Sequence, residues 1–151
     1  MRSHGLVVVC IAVVLVACGE ESPAKAIYGL AHDLEHGDVD GACERLYPMT
    51  ELPASVASDL RLPPGGSASG AAFNCERAVG AGGELESLEL VEPRVRSTRR
   101  LEAQGTRGLN AAANAEVAID GAAPVTMTLV ELDGTWRVVV DVQRARLATT
   151  R

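Results

Sequence analysis

Large rings are scarce in this chain. Trp136, Phe73, Tyr28 and Tyr47 are its whole aromatic complement, 3% of the residues. The 47% hydrophobic fraction rests instead on Ala, Val and Leu, so the core is expected to be built from small side chains. Lysine is nearly missing, since Lys25 is the one example beside thirteen arginines, a coding bias without functional content. Positive charge is in deficit, with 14 basic against 20 acidic residues and a net charge of −6. That balance excludes a nucleic-acid binder by bulk electrostatics, because neutralising phosphates needs a net or locally dense positive surface. No apolar run reaches the roughly 20 residues of a membrane-spanning helix. No serine sits in a Gly-x-Ser-x-Gly elbow. The Gly80 to Gly83 run follows no strand and lacks the lysine of a phosphate loop, so it reads as a connector.

What is present begins at the amino terminus. Arg2 and His4 precede an apolar stretch from Leu6 to Ala17, and Cys18 is followed by the polar Gly19-Glu20-Glu21-Ser22. The layout is that of an export signal. Leu15-Val16-Ala17-Cys18 resembles a bacterial lipobox, in which a branched, a small-to-medium and a small residue precede a cysteine that is acylated and becomes the first residue of the mature protein. The resemblance implies a thioether-linked diacylglyceryl group and palmitate-type chains on Cys18. Only a nucleophilic sulfur can take that group, and more than one chain makes anchoring stable. An ordinary signal peptide that happens to precede a cysteine is the alternative. The expected organisation is residues 1–17 as signal, 18–22 as lipidated tether, 23–146 as one α+β domain and 147–151 as a flexible tail. The location is extracytoplasmic, lipid-anchored to the cell membrane.

Of the four cysteines, Cys10 leaves with the signal and Cys18 takes lipid. Cys43 and Cys75 then remain as a pair in an oxidising compartment and are expected to bridge. Two unpaired buried thiols are the alternative, whereas two thiolates alone are too few for a structural zinc site.

Along the mature chain, Ser22 and Pro23 open a helix whose Ile27, Leu30, Ala31 and Leu34 recur at i, i+3, i+4 and i+7 before Gly37 stops it. A second helix is expected from Val39 to Leu46, a third from Leu52 to Leu60 capped by Thr50, and a fourth from Gly70 to Val79 capped by Ser69. Pro63-Pro64-Gly65-Gly66 reads as a turn. After Gly83 the pattern turns to strands: Leu85 to Arg96 interrupted by Pro93, and Ala111 to Ile119. Last come Val125 to Leu132 and Thr135 to Val142, joined by the two-residue turn Asp133-Gly134. Pairing outward from that turn sets Glu131 beside Trp136, Leu129 opposite Val138, Met127 opposite Val140 and Val125 opposite Val142. The fold class is therefore α+β, with N-terminal helices packed on one face of a curved antiparallel sheet that ends in a β-hairpin.

The opening helix, Gly37-Asp38, Ala42-Cys43-Glu44-Arg45-Leu46-Tyr47 and the late Asp133-Gly134-Thr135-Trp136-Arg137-Val138 together resemble the cone-shaped nuclear transport factor 2-like superfamily, in particular its exported bacterial lipoproteins. The likeness spans about Ala24 to Gln143. It implies a bent sheet enclosing a pocket. The acidic or aromatic catalytic residues of that family's enzymes do not map onto this chain.

Candidate sites are few. His32-Asp33-Leu34-Glu35-His36 carries two histidines at i, i+4, as in a zinc-binding helix, but Asp33 stands where that motif has its glutamate base. At about 100° per residue both histidines point away from the apolar stripe, so no metal and no cofactor is expected. Tyr28, Tyr47 and Trp136 are candidate pocket residues. Arg94, Arg96, Arg99 and Arg100, with Arg107 nearby, are a local reversal of charge. They read either as a solvated strand face or as a contact for anionic headgroups, cell-wall polymer or an acidic partner. The leading functional expectation is a membrane-anchored, non-enzymatic lipoprotein binding an envelope partner or a small apolar ligand. A small isomerase- or dehydratase-like enzyme using the cone, or a purely structural envelope protein, are the alternatives.

Overall fold

The computed structural model describes residues 21–62, 73–80, 90, 92–101, 109–119, 123–141 and 146–147. Cys18 with the signal and most of the tether, Pro63 to Gly66, Ser69, Ala81 to Gly83, Leu85 to Glu89, Arg107 and Val142 lie outside them.

Helix α1 runs Pro23–His36. Its start is fixed as expected: the Ser22 hydroxyl accepts from the Lys25 amide, and proline occupies the first turn. Gly37 ends it in the left-handed region, at φ 68°. Helix α2, Val39–Glu44, is capped by Asp38, whose carboxylate accepts from the Gly41 amide. The helix stops two residues earlier than its apolar pattern predicts. Proline at 48 pushes Tyr47 out of helical geometry, and Leu46–Pro48 becomes strand β1. The third helix is shorter too: Met49–Glu51 form a 3-10 turn, Leu52 is extended ahead of a proline, and α3 spans Ala54–Asp59 with Pro53, not Thr50, at its start. Helix α4, Cys75–Val79, begins at an Asn74 cap whose side chain accepts from the Arg77 amide, so Phe73 lies outside the helix.

Strand β2 covers Arg94–Leu101. It starts where the expected strand was to end, because Glu92 turns the chain at φ 43° and Pro93 brings no amide for the ladder. Strands β3 (Leu109–Ala118), β4 (Val125–Leu132) and β5 (Thr135–Asp141) follow, and the two-residue β6 is Arg146–Leu147, the latter the first residue of the stretch read as a tail. Asp133 and Gly134 both have positive φ, 49° and 84°, as a tight hairpin turn requires.

The class is α+β, and the sheet is mixed. Its order is β1-β5-β4-β3-β2, with β6 also on β5. Only β1 departs from the antiparallel expectation, running parallel to β5 with Leu46, Tyr47 and Pro48 beside Val138, Val139 and Val140. The hairpin pairs Glu131 with Trp136 and Leu129 with Val138, the expected register. The ladder ends there. Val140 pairs with Pro48 on one side and Leu147 on the other, so β6 takes the place that register alone assigned to Met127.

Alternation along the strands creates two cores. On one face Ile27 and Leu30 of α1 pack against Ala113, Ala115, Val117, Met127, Leu129, Val138 and Val140. On the other, Val130, Val139, Ala112 and Leu109 are covered by Met49, Leu52, Val56, Ala57, Leu60 and Leu62. The helices therefore do not keep to one face. Val130 and Val139, apolar residues of the hairpin's other side, are among those that the second layer covers. Cys43 and Cys75 form a disulfide joining α2 to α4, with their Cα atoms 5.7 Å apart.

Candidate functional site

Along β3 the face toward α1 carries alanine at 111, 113 and 115, all buried. Short side chains in a central strand let longer ones on the neighbouring strands meet above them. Arg100, opposite Ala113 on β2, reaches across to Glu131 on β4, opposite Ala111, at 3.4 Å. Its guanidinium also stands 5.9 Å from the ring centroid of Trp136, the cross-strand partner of Glu131. Trp136 is 3% exposed and closes the end of the core. Where the chain enters α1, Glu21, Ser22 and Pro23 arch over this point. They enclose, with Thr98, Arg100, Ala113 and Trp136, a cleft of about 320 Å³.

That volume is at the small end of ligand pockets. The charged groups lining it are already paired, Arg100 with Glu131 and Glu21 with Arg45 at 3.5 Å.

The three aromatic candidates do not share this cleft. Trp136 lines it. Tyr28 is 47% exposed on α1, its hydroxyl accepting from the Val95 amide of β2 at 3.1 Å. Tyr47 lies beside Val139, on the opposite face of the sheet, and donates to the Glu51 carbonyl at 3.3 Å. Burial, then the Glu51 carboxylate, push its phenol above the ordinary value, against an opposing pull from Arg137. The alternation of β1 and β5 separates Tyr47 from Trp136, which position in the sequence does not display.

Arg94, Arg96, Arg99 and Arg100 fall on one exposed strand but not on one face. Arg94 and Arg99 register with Ala118 and Asn114, away from α1, Arg100 with Ala113, toward it, and Arg96 sits at a bulge. His32 and His36 are exposed with ring centroids 4.1 Å apart, and His36 Nδ1 contacts the His32 carbonyl at 2.8 Å. Asp33 is turned elsewhere, 7% exposed and 2.7 Å from Arg45 Nε. No group of three or more metal-ligating side chains occurs among the described residues.

The Asp33–Arg45–Glu21 chain of ion pairs was not anticipated. A signal existed in the helical wheel, which sets Asp33 about 60° from Leu30 and hence at the edge of the apolar stripe. Gly29 completes the arrangement. A Cβ there would stand 2.6 Å from Arg45 Nη1, so the missing side chain is the groove through which Arg45 crosses α1.

No protein-family model, no curated protein and no solved structure matches the chain.

Proposed function

We propose that this protein is an exported lipoprotein, anchored to the outer surface of a bacterial cell membrane through acylated Cys18, whose non-enzymatic domain engages another component of the envelope. The observation that carries the reading is the lipobox-like Leu15-Val16-Ala17-Cys18 at the end of an apolar run too short to span a bilayer. The Cys43–Cys75 disulfide supports it, since such bridges persist in oxidising compartments. The likeness to exported nuclear transport factor 2-like lipoproteins rests on the sequence motifs Gly37-Asp38, Ala42 to Tyr47 and Asp133 to Val138. An envelope partner is favoured over an enclosed apolar ligand by the sheet face under α1. Its residues Ala113, Ala115, Val117, Met127, Leu129, Val138 and Val140 are each at most 1% exposed. The same packing favours a purely structural role as the second reading.

The test is fractionation of cells expressing the full chain, with the mass of the extracted protein. The wild type should partition with membranes as a chain beginning at acylated Cys18. Cys18→Ser should accumulate as precursor or leave the membrane fraction. Processing and retention unchanged by Cys18→Ser would overturn the proposal.

A further inference from the structure

Strand β2 carries the densest positive charge of an acidic chain, and its position relative to the tether gives that charge a use. Among the described residues β2 has one strand neighbour, β3, and stands at the edge of the sheet they form. Arg94, Arg96 and Arg99 are exposed, and among the described residues the only ion pair made by β2 is Arg100–Glu131. Arg94 and Arg99 project on one side of the strand and Arg100 on the other. Charges that straddle an edge fit a planar surface met edge-on. From Arg94 to Arg100 the row extends about 20 Å.

The chain entering α1 lies against this same strand. Glu21, Ser22 and Pro23 share a cleft with Thr98 and Arg100, and further along Tyr28 holds the Val95 amide. From Cys18 to Glu21 three residues reach no further than about 11 Å. A bilayer holding acyl chains on Cys18 is thereby kept next to β2, at an effective concentration no free partner matches.

We infer that β2 is a membrane-docking edge, its arginines seated on the anionic headgroups of the bilayer that holds the lipid anchor. The contact gives the anchored domain a fixed orientation, the opposite, β1 edge of the sheet facing away from the membrane. This rests on Cys18 being the lipid-bearing residue.

The test uses the lipidated full chain reconstituted into vesicles of phosphatidylcholine alone, or of phosphatidylcholine with phosphatidylglycerol. Amide exchange over residues 94–101 should slow in the anionic vesicles only, and salt should reverse the effect. An arginine near an anionic surface contributes roughly a factor of five. Arg94→Gln, Arg96→Gln and Arg99→Gln together should therefore lower the docked-to-free ratio about a hundred-fold, with the vesicle-bound fraction unchanged. Those side chains are exposed, and an intact Cys43–Cys75 bridge by mass checks that the variant has folded. Equal exchange in both vesicle types, with the protein vesicle-bound, overturns the docking edge and leaves the anchor standing. Protection seen only in native membranes assigns β2 to a protein partner and overturns it likewise. Failure of the wild type to carry lipid at Cys18 fails the anchor itself.

Discussion

Gly29 would be read from sequence as a flaw in α1, since glycine inside a helix costs about 1 kcal/mol relative to alanine. In the fold it is the passage for Arg45, whose guanidinium reaches the buried Asp33. The sign of Gly29→Ala should therefore depend on Arg45. In the wild type the methyl group displaces the guanidinium and the protein loses stability, by up to about 2 kcal/mol if the charge-assisted hydrogen bond is broken. With Arg45→Ala the obstruction is gone, and Gly29→Ala should stabilise by about 1 kcal/mol. Denaturant unfolding of the four proteins of the cycle measures this, and equal signs in both backgrounds would remove the role given to Gly29. Tyr47 offers a second test at this scale. Burial holds its proton beyond the ordinary value of 10.0. Because the folded state retains that proton longer than the unfolded chain, the stability it contributes is intact below about pH 10 and is lost as pH rises through the folded value. In Tyr28→Phe, where Tyr47 is the sole tyrosine, phenolate absorbance should appear above pH 10. Glu51→Gln should shift it down and Arg137→Gln up.

At the scale of elements, the legible parts were those whose signal is local. Ser22-Pro23 and Gly37 delimit α1, and Asp133-Gly134 sets the hairpin register, because caps and tight turns are written in a few adjacent residues. Strand β1 was missed, and β2 was met only at its first three residues, for opposite reasons. β1 is three residues long and exists because Val138–Val140 lie beside it, a contact distant in sequence. β2 is exposed at six of its eight positions, so it shows no alternation to read. The candidate site was legible only in pieces. Trp136 and Arg100 were both singled out, but their meeting depends on three alanines in β3 that draw no attention. Helices α2 and α4 have little core of their own, with Ala42 and Ala78 their buried residues, and the disulfide supplies what packing does not. Closing a loop over a separation of 32 residues contributes about 3 to 4 kcal/mol in the chain-entropy model. Cys43→Ser with Cys75→Ser should lower unfolding free energy by that order, and reductant should do the same to the wild type, read from the denaturant midpoint.

For the molecule as a whole, charge and topology divide along the sheet. The chain carries −6 overall, while β2 concentrates four of its arginines at the edge beside Glu21, Ser22 and Pro23. The opposite edge is β1, which enters from the helical half and ties the two halves together. That tie has a kinetic meaning. Leu46 waits for Val138, about 90 residues further along, and contacts of such separation are slow to close. Cys43 and Cys75 both precede β2. A chain that emerges amino terminus first therefore presents the cysteines for oxidation before any partner strand for β1 exists. The bridge can close on a half-made protein, and the last hairpin, on arrival, completes β1 beside an α2 already tied to α4.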